Sequence, residues 1–178
     1  MINMANIEKS VNIPIELYES SLGKYFIGYA DELSIKDGTS AWAMLCNPRR
    51  SCVNLHVNVW TVTDISGSPF RAQFWFNSSP PGNALESSLV TPSNTAFRPI
   101  PQPKVHLLKA SDVSGEPVDG IKAFVRRGEP GTTVVEVENG KLIFPPGGSF
   151  SVVVTLEGSA NTSGAARIAF GWWEERIR

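Results

Sequence analysis

His56 and His106, with Cys46 and Cys52, are the only histidines and cysteines in a chain of 178 residues. A metal-binding β-barrel needs a histidine pair on one strand and a third histidine or carboxylate nearby, whereas His56 is followed on its own face by Asn58 and Trp60. A serine nucleophile would need a base and an orienting acid, and no Gly-x-Ser-x-Gly elbow is present. The carboxylate pairs Glu136/Glu138 and Glu174/Glu175 read as solvated: the first shares one face of a strand, and the second stands in a charged tail. Pro145-Pro146-Gly147-Gly148 precedes a strand and opens no helix, so it cannot cradle a phosphate. The expectation is a protein that is not an enzyme, with no catalytic residues, no metal and no cofactor.

Binding chemistry is better supplied. In the run from Cys52 to Thr63, Val53, Leu55, Val57 and Val59 alternate with Asn54, His56, Asn58 and Trp60. In the next run Ala72, Phe74 and Phe76 alternate with Arg71, Gln73 and Trp75. Period-two alternation places Trp60 and Trp75 on polar faces beside Asn58, Arg71 and Gln73. Such a platform could stack a sugar ring and bond its hydroxyls, which makes a glycan a candidate partner. The competing reading covers both rings with a loop or a neighbouring subunit. Cys46 and Cys52 bracket a turn-like Asn-Pro-Arg-Arg-Ser. They could close a short loop as a disulfide worth roughly 2 kcal/mol, or stand as ordinary reduced thiols.

The elements that must position these residues are strands. The dominant period is two, seen again in Phe150, Val152, Val154 and Leu156 and in Ala166, Ile168, Phe170 and Trp172. The turn at Ser66-Gly67-Ser68-Pro69 makes the runs on either side of it read as an antiparallel pair. Asn139-Gly140 supplies two positive-φ positions for a type I′ turn, which predicts a hairpin over Val134–Phe144 flanked by the Glu138/Lys141 pair. Shorter runs at Tyr25–Ala30, Ala41–Leu45, Val105–Ala110 and Ile121–Arg126 bring the total to about nine or ten strands, the spacing of a sandwich. Residues 77–103, with four prolines after Thr91, read as a surface loop with room for one short edge strand. The fold expected is an all-β, jelly-roll-like antiparallel sandwich over residues 23–178, preceded by an N-terminal arm over residues 1–22.

In the arm, Val11, Ile13, Ile15 and Leu17 alternate with Asn12, Pro14, Glu16 and Tyr18. That is an edge-strand pattern able to bind in trans, since Pro14 cannot donate a ladder hydrogen bond. The alternatives are a helix opening at Pro14, with Glu16 and Glu19 complementing its dipole, or an arm that covers its own domain.

Sixteen Lys+Arg against 17 Asp+Glu leave a formal charge of -1, so nothing draws the chain to nucleic acid or anionic lipid. No apolar run approaches a membrane span, and the first twenty residues lack a secretory signal. No membrane insertion is expected.

The segments Asn58-Val59-Trp60-Thr61-Val62-Thr63, Ser68–Asn77, Pro80-Pro81-Gly82-Asn83, Ala123-Phe124-Val125-Arg126-Arg127, Phe144–Phe150 and Ala169-Phe170-Gly171-Trp172-Trp173-Glu174-Glu175 together resemble a family of small uncharacterised proteins from spore-forming Gram-positive bacteria. The resemblance transfers no catalytic residue. In architecture alone, a sandwich with an extended arm is similar to the jelly-roll subunits of endospore appendages, which polymerise when one subunit's arm completes the next subunit's sheet. Those subunits carry cysteines in the arm, whereas here they lie in the body. What the resemblance implies is a structural or surface interaction subunit, a homo-oligomer or polymer associating through sheet edges or the arm. Its place would be the spore surface, or otherwise the cytoplasm.

Overall fold

A computed structural model describes residues 11–158 and 162–177. After a short helix, α1 (Ile15–Ser21), come eight long strands: β1 (Tyr25–Ile35), β2 (Ser40–Cys46), β3 (Val53–Asp64), β4 (Phe70–Phe76), β8 (Ile121–Gly128), β9 (Thr133–Phe144), β10 (Ser149–Leu156) and β11 (Gly164–Arg176). Between β4 and β8 lie β5 (Leu85–Glu86), β6 (Val90–Pro92) and β7 (His106–Val113). Sheet I has the order β6-β1-β11-β3-β9 and sheet II the order β5-β7-β2-β10-β4-β8, with every pairing antiparallel. Strands β2 and β10, β3 and β9, and β4 and β8 pair as nested layers of one long hairpin rolled up, which is the jelly-roll topology.

Rolling changes what the turns do. The segments on either side of Ser66–Pro69 do not pair: β3 belongs to sheet I and β4 to sheet II. The connection between Cys46 and Cys52 likewise crosses from one sheet to the other, pinned by the buried Asn47, whose Nδ2 donates to the carbonyls of Val53 (2.8 Å) and Phe144 (3.0 Å). Asn139 and Gly140 do take positive φ, 51° and 71°. They do so within β9, which continues along β3 in one direction: Val59 faces Val137 and Val57 faces Leu142, with residues 138–141 bulging between. The hairpin expected over Val134–Phe144 is therefore a bulged strand. An Asn-Gly pair selects a local backbone conformation, and the partner strand decides whether that conformation reverses the chain.

The core lies between the sheets. Leu55, Val57, Trp60 and Val62 meet Phe74, Phe150 and Val152 across it, with Ile168, Phe170 and Trp172 from β11. Trp60 and Phe74 are 4.2 Å apart between ring centroids, and Phe74 stacks on Phe124 at 4.4 Å. The apolar faces expected for β4, β10 and β11 are all present in this cluster. Residues 77–105 wrap one flank, placing β6 beside β1 and β5 beside β7.

The arm is not a strand over its described part. Pro14, at φ -57°, precedes α1, and Glu16 lies in the first turn where a negative charge complements the helix dipole. The period-two apolar pattern is lost because a helix of 3.6 residues per turn spreads Ile15, Leu17 and Tyr18 around its circumference. Residues 1–10 of the arm lie outside the described residues.

Candidate functional site

The tryptophan platform is dispersed. Trp60 is fully buried in the main core, its Nε1 donating to Glu138 Oε1 at 3.1 Å. The cause is a bulge in β3: Gly171 faces Val59 and Trp172 faces Val57, so Asn58 is an extra residue. From there the alternation changes phase, with Val59 turning out and Trp60 turning in. Trp75 lies on the outer face of sheet II, buried in a second apolar cluster with Trp42, Met44 and Val153. Lys122 Nζ caps its ring at 4.8 Å from the centroid. The loops cover this cluster: Trp42 Nε1 donates to the Pro81 carbonyl at 2.7 Å, and Ser79 bridges to Val118. Asn58 is in sheet I, while Arg71 and Gln73 accompany Trp75 in sheet II. The five residues do not form one surface.

Other expected groupings also separate. His56 is on β3 in sheet I and His106 on β7 in sheet II, each beside its own carboxylate, Glu175 at 3.2 Å and Glu86 at 2.7 Å. Among the described residues no three His, Cys, Asp or Glu side chains form a group that could hold a metal ion. Cys46 and Cys52 are free thiols, Cys46 half-buried and Cys52 exposed, and burial pushes the Cys46 thiol up from its ordinary value. The carboxylates read as solvated are half wrong. Glu138 is buried, paired with Lys141 at 2.9 Å as the sequence suggested. Glu174 is buried too, accepting hydrogen bonds from the backbone N–H of Lys104 (2.9 Å) and Val105 (3.0 Å). Burial outweighs those donors and raises the Glu174 carboxyl above its usual range.

A cavity of about 360 Å³ opens at one end of the outer face of sheet II, lined by Ser40, Gln73, Val113, Glu116, Val153 and Thr155 among others. Its polar groups largely satisfy one another. Gln73 accepts from Trp75 Nε1 at 3.3 Å and bonds Glu116, Glu116 pairs with Lys122 at 3.2 Å, and Lys36 pairs with Asp112 at 2.9 Å. These groups do not converge on a shared point.

The outer face of sheet I is different. Strand register aligns its outward side chains in rows across β1, β11, β3 and β9: Tyr25, Trp173, His56 and Ile143; then Ile27, Gly171, Val59 and Val137; then Tyr29, Ala169, Thr61 and Val135. The end of the first row is built as a packed floor. His56 stacks on Trp173 at 5.1 Å with 9° between planes, Tyr25 stacks on the same indole at 6.5 Å, and Asn58 Nδ2 donates to the Tyr25 hydroxyl at 2.8 Å. Both ring nitrogens of His56 face oxygen acceptors, the Gly140 carbonyl and Glu175, which ties the β9 bulge to β11. Burial raises the Tyr25 hydroxyl above its ordinary value, against the Asn58 hydrogen bond. Beyond this floor, Ile27, Tyr29, Val135, Val137 and Ile143 stand 37% to 55% exposed, covered by nothing among the described residues. The Arg167–Asp31 pair (2.7 Å) and the Thr63–Thr133 hydrogen bond lie in the next row.

The arm adjoins this face, because α1 contacts β1 and β11 and Glu16 is close enough to Tyr25 for its charge to act on the hydroxyl. The side chains singled out in the arm, Val11, Ile13, Ile15 and Leu17, are all exposed, as are Tyr18 and Leu22. The helix is moored through polar contacts instead: Glu19 is buried and reaches Lys24 at 3.7 Å, and the Ser20 and Ser93 hydroxyls are 2.8 Å apart.

Residues 3–178 match the model of a family of unknown function, DUF6143. The chain belongs to that family. No curated protein matches it. Among solved structures it is similar to the hydroquinone 1,2-dioxygenase from Sphingomonas sp. TTNP3 with 4-hydroxybenzoate bound, at 12% identity and a TM-score of 0.28. That similarity covers 84% of this chain, which spans 59% of the length of the other.

In this member of the family, the apolar outer face was missed by the sequence reading although a signal was present. Phe26-Ile27 in β1 and Val134-Val135 in β9 are apolar on both sides of the strand, whereas an outward face turned to water calls for strict alternation. Among the described residues no helix is long and apolar enough to cross a membrane.

Proposed function

We propose that this protein is a non-enzymatic structural subunit that self-associates through its N-terminal arm, with the spore surface as its setting. The observation that carries this reading is the arm itself. Six apolar side chains between Val11 and Leu22 stand 42% to 75% exposed, on a segment whose one buried helical residue is the charged Glu19. Apolar groups are retained in water at that density chiefly where a partner removes them from it. Sheet edges are a poorer route. The long edge strand β9 is interrupted by the bulge at residues 138–141. Beside it, the edge strand of sheet II, β8, carries Lys122, Arg126 and Arg127, all held in ion pairs. Bulges and charges are the devices by which sheets avoid edge-to-edge pairing.

The test is the mass in solution of the full chain against a variant in which Ile13 and Leu17 are both replaced by glutamate. These side chains lie on the surface, so the variant should keep its β spectrum and thermal midpoint while losing association. Wild-type protein that stays at 19.4 kDa at every concentration would refute the reading.

A further inference from the structure

The arm needs an acceptor, and we infer that it is the outer face of sheet I on a second copy of this chain, exchanged reciprocally in a closed dimer. This rests on the self-association just proposed and names the surface that receives the arm.

Three observations support the assignment. First, both apolar surfaces are open in the same molecule: the arm from Val11 to Leu22, and the rows bearing Ile27, Tyr29, Val135, Val137 and Ile143. Chain direction accounts for this. Leu22, Gly23 and Lys24 connect α1 directly to β1 and the buried Glu19 faces the body, so Leu17, two positions away on the helix, is turned from the chain's own sheet, while Ile15 and Leu22 flank Glu19 and are still half-exposed. Second, the face is flat and nearly uncharged across its middle rows, with Gly171 and Ala169 at its centre on β11. Over Gly171 the Tyr25 hydroxyl and the Val59 side chain close the gap, so the face offers an apolar segment a filled surface and no groove. Charged groups collect at the ends, Arg167 with Asp31 at one and Glu175 with His56 at the other.

The third observation is the area. Four strands roughly 4.8 Å apart and three rows roughly 6.8 Å apart give a patch of about 400 Å². A patch of that size by itself is ordinary on a monomer. A one-way contact would bury about 400 Å² on each side, or about 800 Å² in all, the size of a packing contact. In a reciprocal exchange each copy loses both its face and its arm to the partner, about 800 Å² per copy, which reaches the standard size of a stable interface. Closure by a two-fold axis is also the commonest arrangement for copies of one chain.

A photo-reactive phenylalanine analogue at position 17, in full-length protein mixed with an isotope-labelled second population, reports where the arm lands. The expected result is dimeric mass, with light-to-heavy crosslinks mapping to peptides that contain Ile27, Val59 or Val137. The double substitution Val135→Lys with Val137→Lys should return the mass to 19.4 kDa with the far-UV spectrum unchanged. Dimers that survive this double substitution, or crosslinks that map to sheet II, overturn the inference while leaving arm-mediated association standing. Dimers that persist when Ile13 and Leu17 are changed to glutamate, but are lost with Val135 and Val137, mean that faces stack without the arm, which overturns the inference and the proposed function together.

Discussion

Gly140 and Gly38 have nearly the same backbone conformation, φ +71° and +72°, in very different surroundings. A Cβ on Gly38 would have no neighbour within 4 Å, whereas one on Gly140 would come within 1.8 Å of Cη2 and 2.2 Å of Cζ2 of Trp173. That indole cannot step aside, because His56 stacks on it at 5.1 Å and Tyr25 at 6.5 Å. Replacing either glycine with alanine places a side chain in the left-handed region at a cost of about 1 kcal/mol. For Gly38→Ala that is the only cost in the folded state. Gly140→Ala adds the overpacking of a filled site, about 1–3 kcal/mol, for a total of about 2–4 kcal/mol. At about 2–4 °C per kcal/mol for a chain of this size, the thermal midpoint should fall by a few degrees for Gly38→Ala and by roughly 4–16 °C for Gly140→Ala. The entropy lost from the unfolded chain is the same in both, so the difference isolates the contact between the β9 bulge and Trp173. Calorimetry and urea unfolding on the two variants measure it. If they agree within about 0.5 kcal/mol, the bulge is not packed against the indole and the floor described for sheet I is wrong.

All five tryptophans are buried, so acrylamide should quench native fluorescence weakly and the emission should be blue-shifted from that of unfolded chain; strong quenching would contradict the covered position of Trp75. Because the buried Glu174 carboxyl is raised above its ordinary 4.5, the folded protein holds a proton that the unfolded chain has released in the window just above that value. Stability from this group is full below the window and lost as pH rises through it, and the lowered Asp31 and Asp112 act oppositely, losing their contribution as pH falls through their folded values. Urea unfolding from pH 4 to 7 should show the first slope removed in Glu174→Gln, and an identical slope in the variant would reject burial as its cause. With a thiol reagent, the exposed Cys52 should react promptly and the half-buried Cys46 more slowly, and equal rates would contradict their placement.

Alternation made the strands and the apolar faces of β4, β10 and β11 legible, because a side chain's face follows from its parity as long as the backbone stays regular. Parity fails where a residue is inserted. The bulge at Asn58 leaves no mark in the sequence, and it alone moves Trp60 from the expected polar face into the core. The jelly roll itself was anticipated, yet neither proposed local pair survived, since a turn such as Ser66–Pro69 reads the same whether the strands it joins share a sheet or cross between two. Pairing is decided by segments more than a hundred residues apart, as when β11 lies between β1 and β3. In the candidate interface the sequence alone marked the arm by its apolar residues. Only the tertiary structure brought Ile27, Val59 and Val137 into one row, because rows across a sheet are made by register between distant strands and not by any spacing along the chain.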